Sequence, residues 1–116
     1  MTLSLRALVL GLVLLVPSWS DGPKRVTQAD AMAAVITKVQ PEYPAVARQL
    51  KLQGVVEVEV VVGENGAVES ATPVSGNPVF TRPAVDALKR WKFHPFQENG
   101  AATKAQVVLT VSFHNN

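Results

Sequence analysis

The chain has 116 residues, a length that suits one domain, with 47 % apolar and 17 % charged residues. Eleven Lys and Arg against nine Asp and Glu leave a formal net charge of +2, too weak a field for nucleic acid as the main partner, which calls for a dense basic stripe. There is no cysteine, which excludes a disulfide framework, a thiolate metal site, a cysteine nucleophile and a cysteine-linked lipid anchor.

Residues 1–20 read as an address. Arg6 gives a short positive start, Ala7 to Val16 is an unbroken apolar run, and Pro17 closes it. Ser18 and Ser20 then stand at the small-x-small positions of a cleavage site before Asp21. This is the order of a secretory signal peptide; the alternative, a short uncleaved anchor, meets a run of about half the ~20 apolar residues that a spanning helix needs. Residues 21–38 read as a flexible leader, polar as far as Ala29. Ala31 to Val39 mixes helix formers with β-branched residues, and a short extended lead-in is expected there.

The folded domain is expected over residues 39–116. Gln40-Pro41-Glu42-Tyr43-Pro44 is held extended, because a residue before proline avoids the helical region. Pro44 suits the first turn of a helix over Ala45 to Gln53, with Val46 and Leu50 on one face and Gly54 as a positive-φ stop. Val55 to Val62 alternates cleanly: Val56, Val58, Val60 and Val62 share one face, Glu57 and Glu59 the other. Gly63-Glu64-Asn65-Gly66 is a hairpin turn, and Ala67 to Val74 returns with Val68 and Val74 toward the core. Thr81 is an N-cap candidate for a second helix with Pro83 in its first turn. Phe80 and Val85 could then form a hydrophobic staple, and Val85, Leu88 and Trp91 follow at helical spacing. Asn99-Gly100 marks a turn. Ala105 to Phe113 closes the chain as a half-buried strand, with Val107, Leu109, Val111 and Phe113 on one face. The expected fold class is α+β: a small three-stranded antiparallel sheet with two helices packed on one face, in the order α-β-β-α-β.

No catalytic constellation emerges. Glu57 and Glu59 stand about 7 Å apart on one strand face and form no cleft, so they read as a solvated face rather than a glycosidase pair. His94 and His114 lack a third metal ligand at defined spacing. Ser75 lacks the nucleophile elbow. No enzyme activity, metal or cofactor is expected.

The ordered features Gln40-Pro41-x-Tyr43-Pro44-x-x-Ala47, Gly54-x-Val56-x-Val58-x-Val60, Gly66-x-Val68, Ser75-Gly76, Ala84-Val85-x-Ala87-Leu88-x-x-Trp91-Lys92-Phe93-x-Pro95, Gly100 and Leu109-x-Val111-x-Phe113 run from about Val39 to Phe113. In this set the chain resembles the TonB C-terminal domain family. The resemblance implies a periplasmic protein-binding domain that engages outer-membrane TonB-dependent receptors, or other periplasmic segments, by strand addition. It places the docking edge on the last strand, Val107, Val108, Leu109, Thr110, Val111, Ser112 and Phe113, with Gln40, Pro41, Tyr43 and Pro44 beside it. Glu42 and Val46 depart from the family pattern, which favours Gln and a basic residue there. The same edge could instead pair with its own copy and give a homodimer. Family transducers also meet an inner-membrane motor across a long Pro-rich spacer. Asp21 to Thr37 spans at most ~60 Å at ~3.5 Å per residue, so engagement of that motor is not expected.

Overall fold

The computed structural model describes residues 22–114, so the signal-peptide reading of residues 1–20 lies outside it. Its elements are β1 (Lys24–Arg25), α1 (Gln28–Ala33), β2 (Val35–Thr37), α2 (Ala45–Gln49), β3 (Gly54–Val62), β4 (Val68–Ser75), α3 (Pro78–Leu88), β5 (Lys92–Phe93), β6 (Phe96–Glu98), β7 (Ala101–Thr103) and β8 (Ala105–Phe113). The class is α+β as expected, with more pieces: three helices, and a main sheet of four strands in the order β1-β8-β3-β4. Two small two-stranded ladders, β2 with β5 and β6 with β7, stand apart from it.

β3 and β8 make the frame. They pair antiparallel without interruption from Gly54 opposite Phe113 to Val62 opposite Ala105. Val56, Val58, Val60 and Val62 are all fully buried, as are Ala105, Val107 and Leu109 to within 2 %, so the period-2 pattern of both strands translates directly into one dry face. β4 pairs with the other side of β3, with register shifts between Glu57 and Val58 and between Val61 and Val62. These irregularities take Val74 off the core face: it is exposed, against the expectation from alternation.

α3 covers β3 and β4. It buries Phe80, Ala84, Ala87 and Leu88, spaced as one helical face. It starts earlier than Thr81 suggested. Asn77 is the N-cap, its Oδ1 accepting the Val79 N–H at 3.0 Å, and Pro78 fills the first-turn position. Pro83 therefore lies inside the helix and withholds the N–H that the Val79 carbonyl would accept. Phe80, expected as a staple outside the cap, is a core residue stacked on Phe113 at 4.6 Å.

α2 is short and buries only Ala47; Val46 and Leu50 are exposed rather than inward. The positive φ after it falls on Lys51, not Gly54. Gly54 opens β3, where a Cβ would stand 3.0 Å from the Phe80 ring. Gly66, at φ 87°, closes the β3–β4 turn, and its carbonyl accepts the Phe93 N–H at 2.9 Å.

Within the span expected as a flexible leader, residues 24–37 are ordered into β1, α1 and β2. Thr27 caps α1 by accepting the Asp30 N–H at 3.1 Å, and Ala31 is fully buried. The apolar stretch read as extended lead-in thus divides into a helix and the short strand β2, which pairs with β5.

Candidate partner-binding edge

β8 has two sides of unequal fate. Toward β3 its ladder is complete. On the outer side β1 lies parallel against its first residues, Lys24 beside Ala105 and Arg25 beside Gln106. The Lys24 N–H donates to the Lys104 carbonyl at 2.8 Å and the Val26 N–H to the Gln106 carbonyl at 3.0 Å. β8 is therefore not the terminal strand of its sheet, against the expectation from sequence. Beyond Gln106, however, no strand stands beside it among the described residues.

The Thr110 N–H shows which way that stretch faces. It points away from β3 and donates to Gln28 Oε1 at 3.1 Å. In an antiparallel ladder alternate residues direct both backbone groups to the same side. Val108 and Ser112 therefore turn their N–H and C=O groups to the outer rim with Thr110. Their side chains are exposed on the bare sheet face, while Leu109 and Phe113 are buried beneath the helices.

A groove of about 170 Å³ runs along this rim. Leu109, Thr110, Val111 and Ser112 form one wall. Lys38, Gln40, Pro41 and Trp91, with Gln28 and Met32 of α1, complete the lining. The segment is fixed from below. Trp91 Nε1 donates to the Val39 carbonyl at 2.9 Å, and the Lys38 ammonium lies 5.8 Å from the Trp91 ring centroid. The two prolines then keep Gln40 to Pro44 extended.

The structure thus brings Gln40 and Pro41 together with Leu109, Thr110, Val111 and Ser112. It does not bring all the expected residues there. The Tyr43 ring packs edge-on against Phe80 and Phe113 at 5.8 and 6.0 Å, and its hydroxyl donates to the Leu52 carbonyl. Arg48 covers its other side, 5.7 Å from the centroid. Pro44 lines a separate groove of about 440 Å³ against Pro78, Pro83, Arg82 and Arg90 of the α3 region, with Glu42. Val107 and Val108 border a third hollow with Arg25, Val26 and Gln106. Gln28, Met32 and Lys38 are groove residues that sequence reasoning missed. The Thr27-x-x-Asp30 cap before an Ala-rich run was the available signal for the helix that carries the first two.

Charge plays a small part. One ion pair occurs among the described residues, Lys104 with Glu69 at 3.1 Å, both side chains nearly half exposed. Glu57 accepts from the Ser75 hydroxyl at 2.9 Å on the bare sheet face, and no group of three metal-ligating residues occurs among the described residues.

Residues 39–114 match the family model of the Gram-negative bacterial TonB protein C-terminal region. A Klebsiella pneumoniae relative, Protein TonB, is 31 % identical over 103 residues, which is 86 % of this chain and 40 % of the relative. The chain therefore spans less than half the length of that relative. The solution structure of the Pseudomonas aeruginosa TonB C-terminal domain superposes with a TM-score of 0.57 at 22 % identity, over 68 % of this chain and 82 % of that one. The TonB2 protein of Vibrio anguillarum gives 0.55 at 25 % identity, over 85 % and 86 %. The fold is shared with both, and the chain belongs to the family of Gram-negative bacterial TonB protein C-terminal domains.

Proposed function

We propose that this chain is a periplasmic TonB-like binding domain that engages outer-membrane transporters by strand addition, in TonB-dependent transport or its regulation. The family is not an enzyme family, which accords with a role made of contacts. The observation that carries the reading is the rim of Val108 to Ser112. It presents outward backbone groups with no strand beside them on that side, next to a groove that Trp91 and Pro41 help to line. An extended segment laid there would exchange main-chain hydrogen bonds with β8 and place alternate side chains in the groove. Residues 1–20, as a signal peptide, would deliver the domain to that compartment.

Val108→Pro tests this directly. The Val108 N–H faces away from β3, so proline removes a rim donor while sparing the β3 ladder. Isothermal titration with a peptide from the N-terminal segment of an outer-membrane transporter should show at least about a tenfold loss, and circular dichroism an unchanged fold. Equal affinity in the two proteins would sink the reading. The same rim could pair with a second copy of the chain, since Val108 is exposed beside it. Light scattering after size exclusion decides: a dimer that persists on dilution and dissociates in Val108→Pro favours that use of the rim.

A further inference from the structure

The docking rim is not free in the isolated domain. β1 lies along the outer edge of β8 just before the rim, pairing parallel with Ala105 and Gln106. After Val26 and Thr27 α1 begins, and the first residue of that helix, Gln28, uses its side-chain carbonyl to take the Thr110 N–H at 3.1 Å. Met32, on the same helix, also lines the groove. One segment of the chain, residues 24–32, therefore pairs with β8 just before the rim and takes the Thr110 N–H at the middle of the rim itself.

Its hold is slight. The ladder is two residues long, the Gln28 bond and the Lys24 Nζ bond to the Gln97 carbonyl at 3.0 Å are both solvent-exposed, and of the segment only Ala31 is fully buried, with Val26 partly so. Segments with so few buried apolar groups open at low free-energy cost. The chain just beyond α1 has ties of its own: β2 pairs with β5, and the His94 N–H donates to the Ala34 carbonyl at 2.7 Å. The Gln40–Pro41 segment has an anchor outside residues 24–32, the Trp91 Nε1 bond to the Val39 carbonyl at 2.9 Å.

We propose that residues 24–32 form an intramolecular strap that competes with the incoming strand for the rim of β8. A partner binds fully only when the strap has left, and its apparent affinity is reduced by the fraction of molecules in which the strap is closed. The proposal rests on strand addition at that rim.

The absence of cysteine allows a clean test. Arg25→Cys with Gln106→Cys places a pair at directly facing positions, within reach of a disulfide that locks the strap shut. The probe is the transporter N-terminal peptide, titrated into the full chain carrying the pair, oxidised and then reduced, and into Gln28→Ala. The reduced form is its own folding control. The oxidised form should bind at least about fivefold more weakly than the reduced form. Gln28→Ala should bind up to about fivefold more tightly than the parent, the factor that one net hydrogen bond corresponds to. Equal affinity in oxidised and reduced forms overturns the strap and leaves strand addition standing. No binding even in the reduced form and in Gln28→Ala overturns strand addition, and the strap with it.

Discussion

The indole N–H of Trp91 donates to the carbonyl of Val39 at 2.9 Å, joining positions 52 residues apart in the chain. This bond ties the residue before the Gln40–Pro41 segment to Trp91, which lines the same groove as that segment and the rim of β8. Trp91→Phe keeps much of the apolar area and removes the donor. It should cost about 1–3 kcal/mol, the usual range for leaving a partly buried acceptor unpaired, read as a lower urea midpoint. Peptide affinity should fall with it, because the segment loses its anchor.

Gly66 is irreplaceable for two independent reasons. Its φ is 87°, and a Cβ there would stand 1.9 Å from the Phe93 carbonyl oxygen. The left-handed conformation alone costs a side chain about 1–2 kcal/mol, and the clash lies against backbone that cannot swing away. Gly66→Ala should lower stability by more than the first figure alone, and the amide of Phe93, which donates to Gly66, should lose its protection from hydrogen exchange.

Phe80 joins α3 to the sheet at the end where β3 begins. It stacks on Phe113, meets the Tyr43 edge, and lies 3.0 Å from where a Cβ on Gly54 would stand. Phe80→Ala should cost about 3–5 kcal/mol by lost burial and cavity formation. That is a large share of the stability of a domain this size. A thermal melt of the variant should show a collapsed or absent transition.

Surface charge should matter little. Lys104 and Glu69 are both nearly half exposed, and exposed pairs contribute about 0–1 kcal/mol. Glu69→Gln should shift the urea midpoint barely at all, and raising salt should do the same to the parent protein.

How much of this was legible beforehand differs by element. β3 and β8 were plain, because each buries one face only and the valines record it. α3 was seen, but its start was misplaced: two prolines, Pro78 and Pro83, both suit a first turn, and only the Asn77 side chain decides between them. α2 misled through Val46 and Leu50, since a five-residue helix that buries a single alanine leaves its larger apolar groups outside. Within the leader, the ordered stretch from β1 to β2 was hidden because its hold is a small buried alanine and a capped turn, neither of which makes a strong hydrophobic period. Pattern also reveals which face of a strand is buried and not which strands are neighbours. That is why β8 was expected at the boundary of the sheet although β1 adjoins its beginning. Of the candidate site, Gln40, Pro41 and the stretch from Leu109 to Ser112 come together, while Tyr43 lies apart from that groove, packed against Phe80 and Phe113.

The irregular register of β4 has a consequence for crowding. A sheet with two equally receptive margins invites copies to join end on end into fibres. Here the far margin carries two register shifts and Pro73, features that bend a strand and withhold a donor. Growth from that side is discouraged, so anything that docks on the opposite margin terminates the sheet rather than extending it.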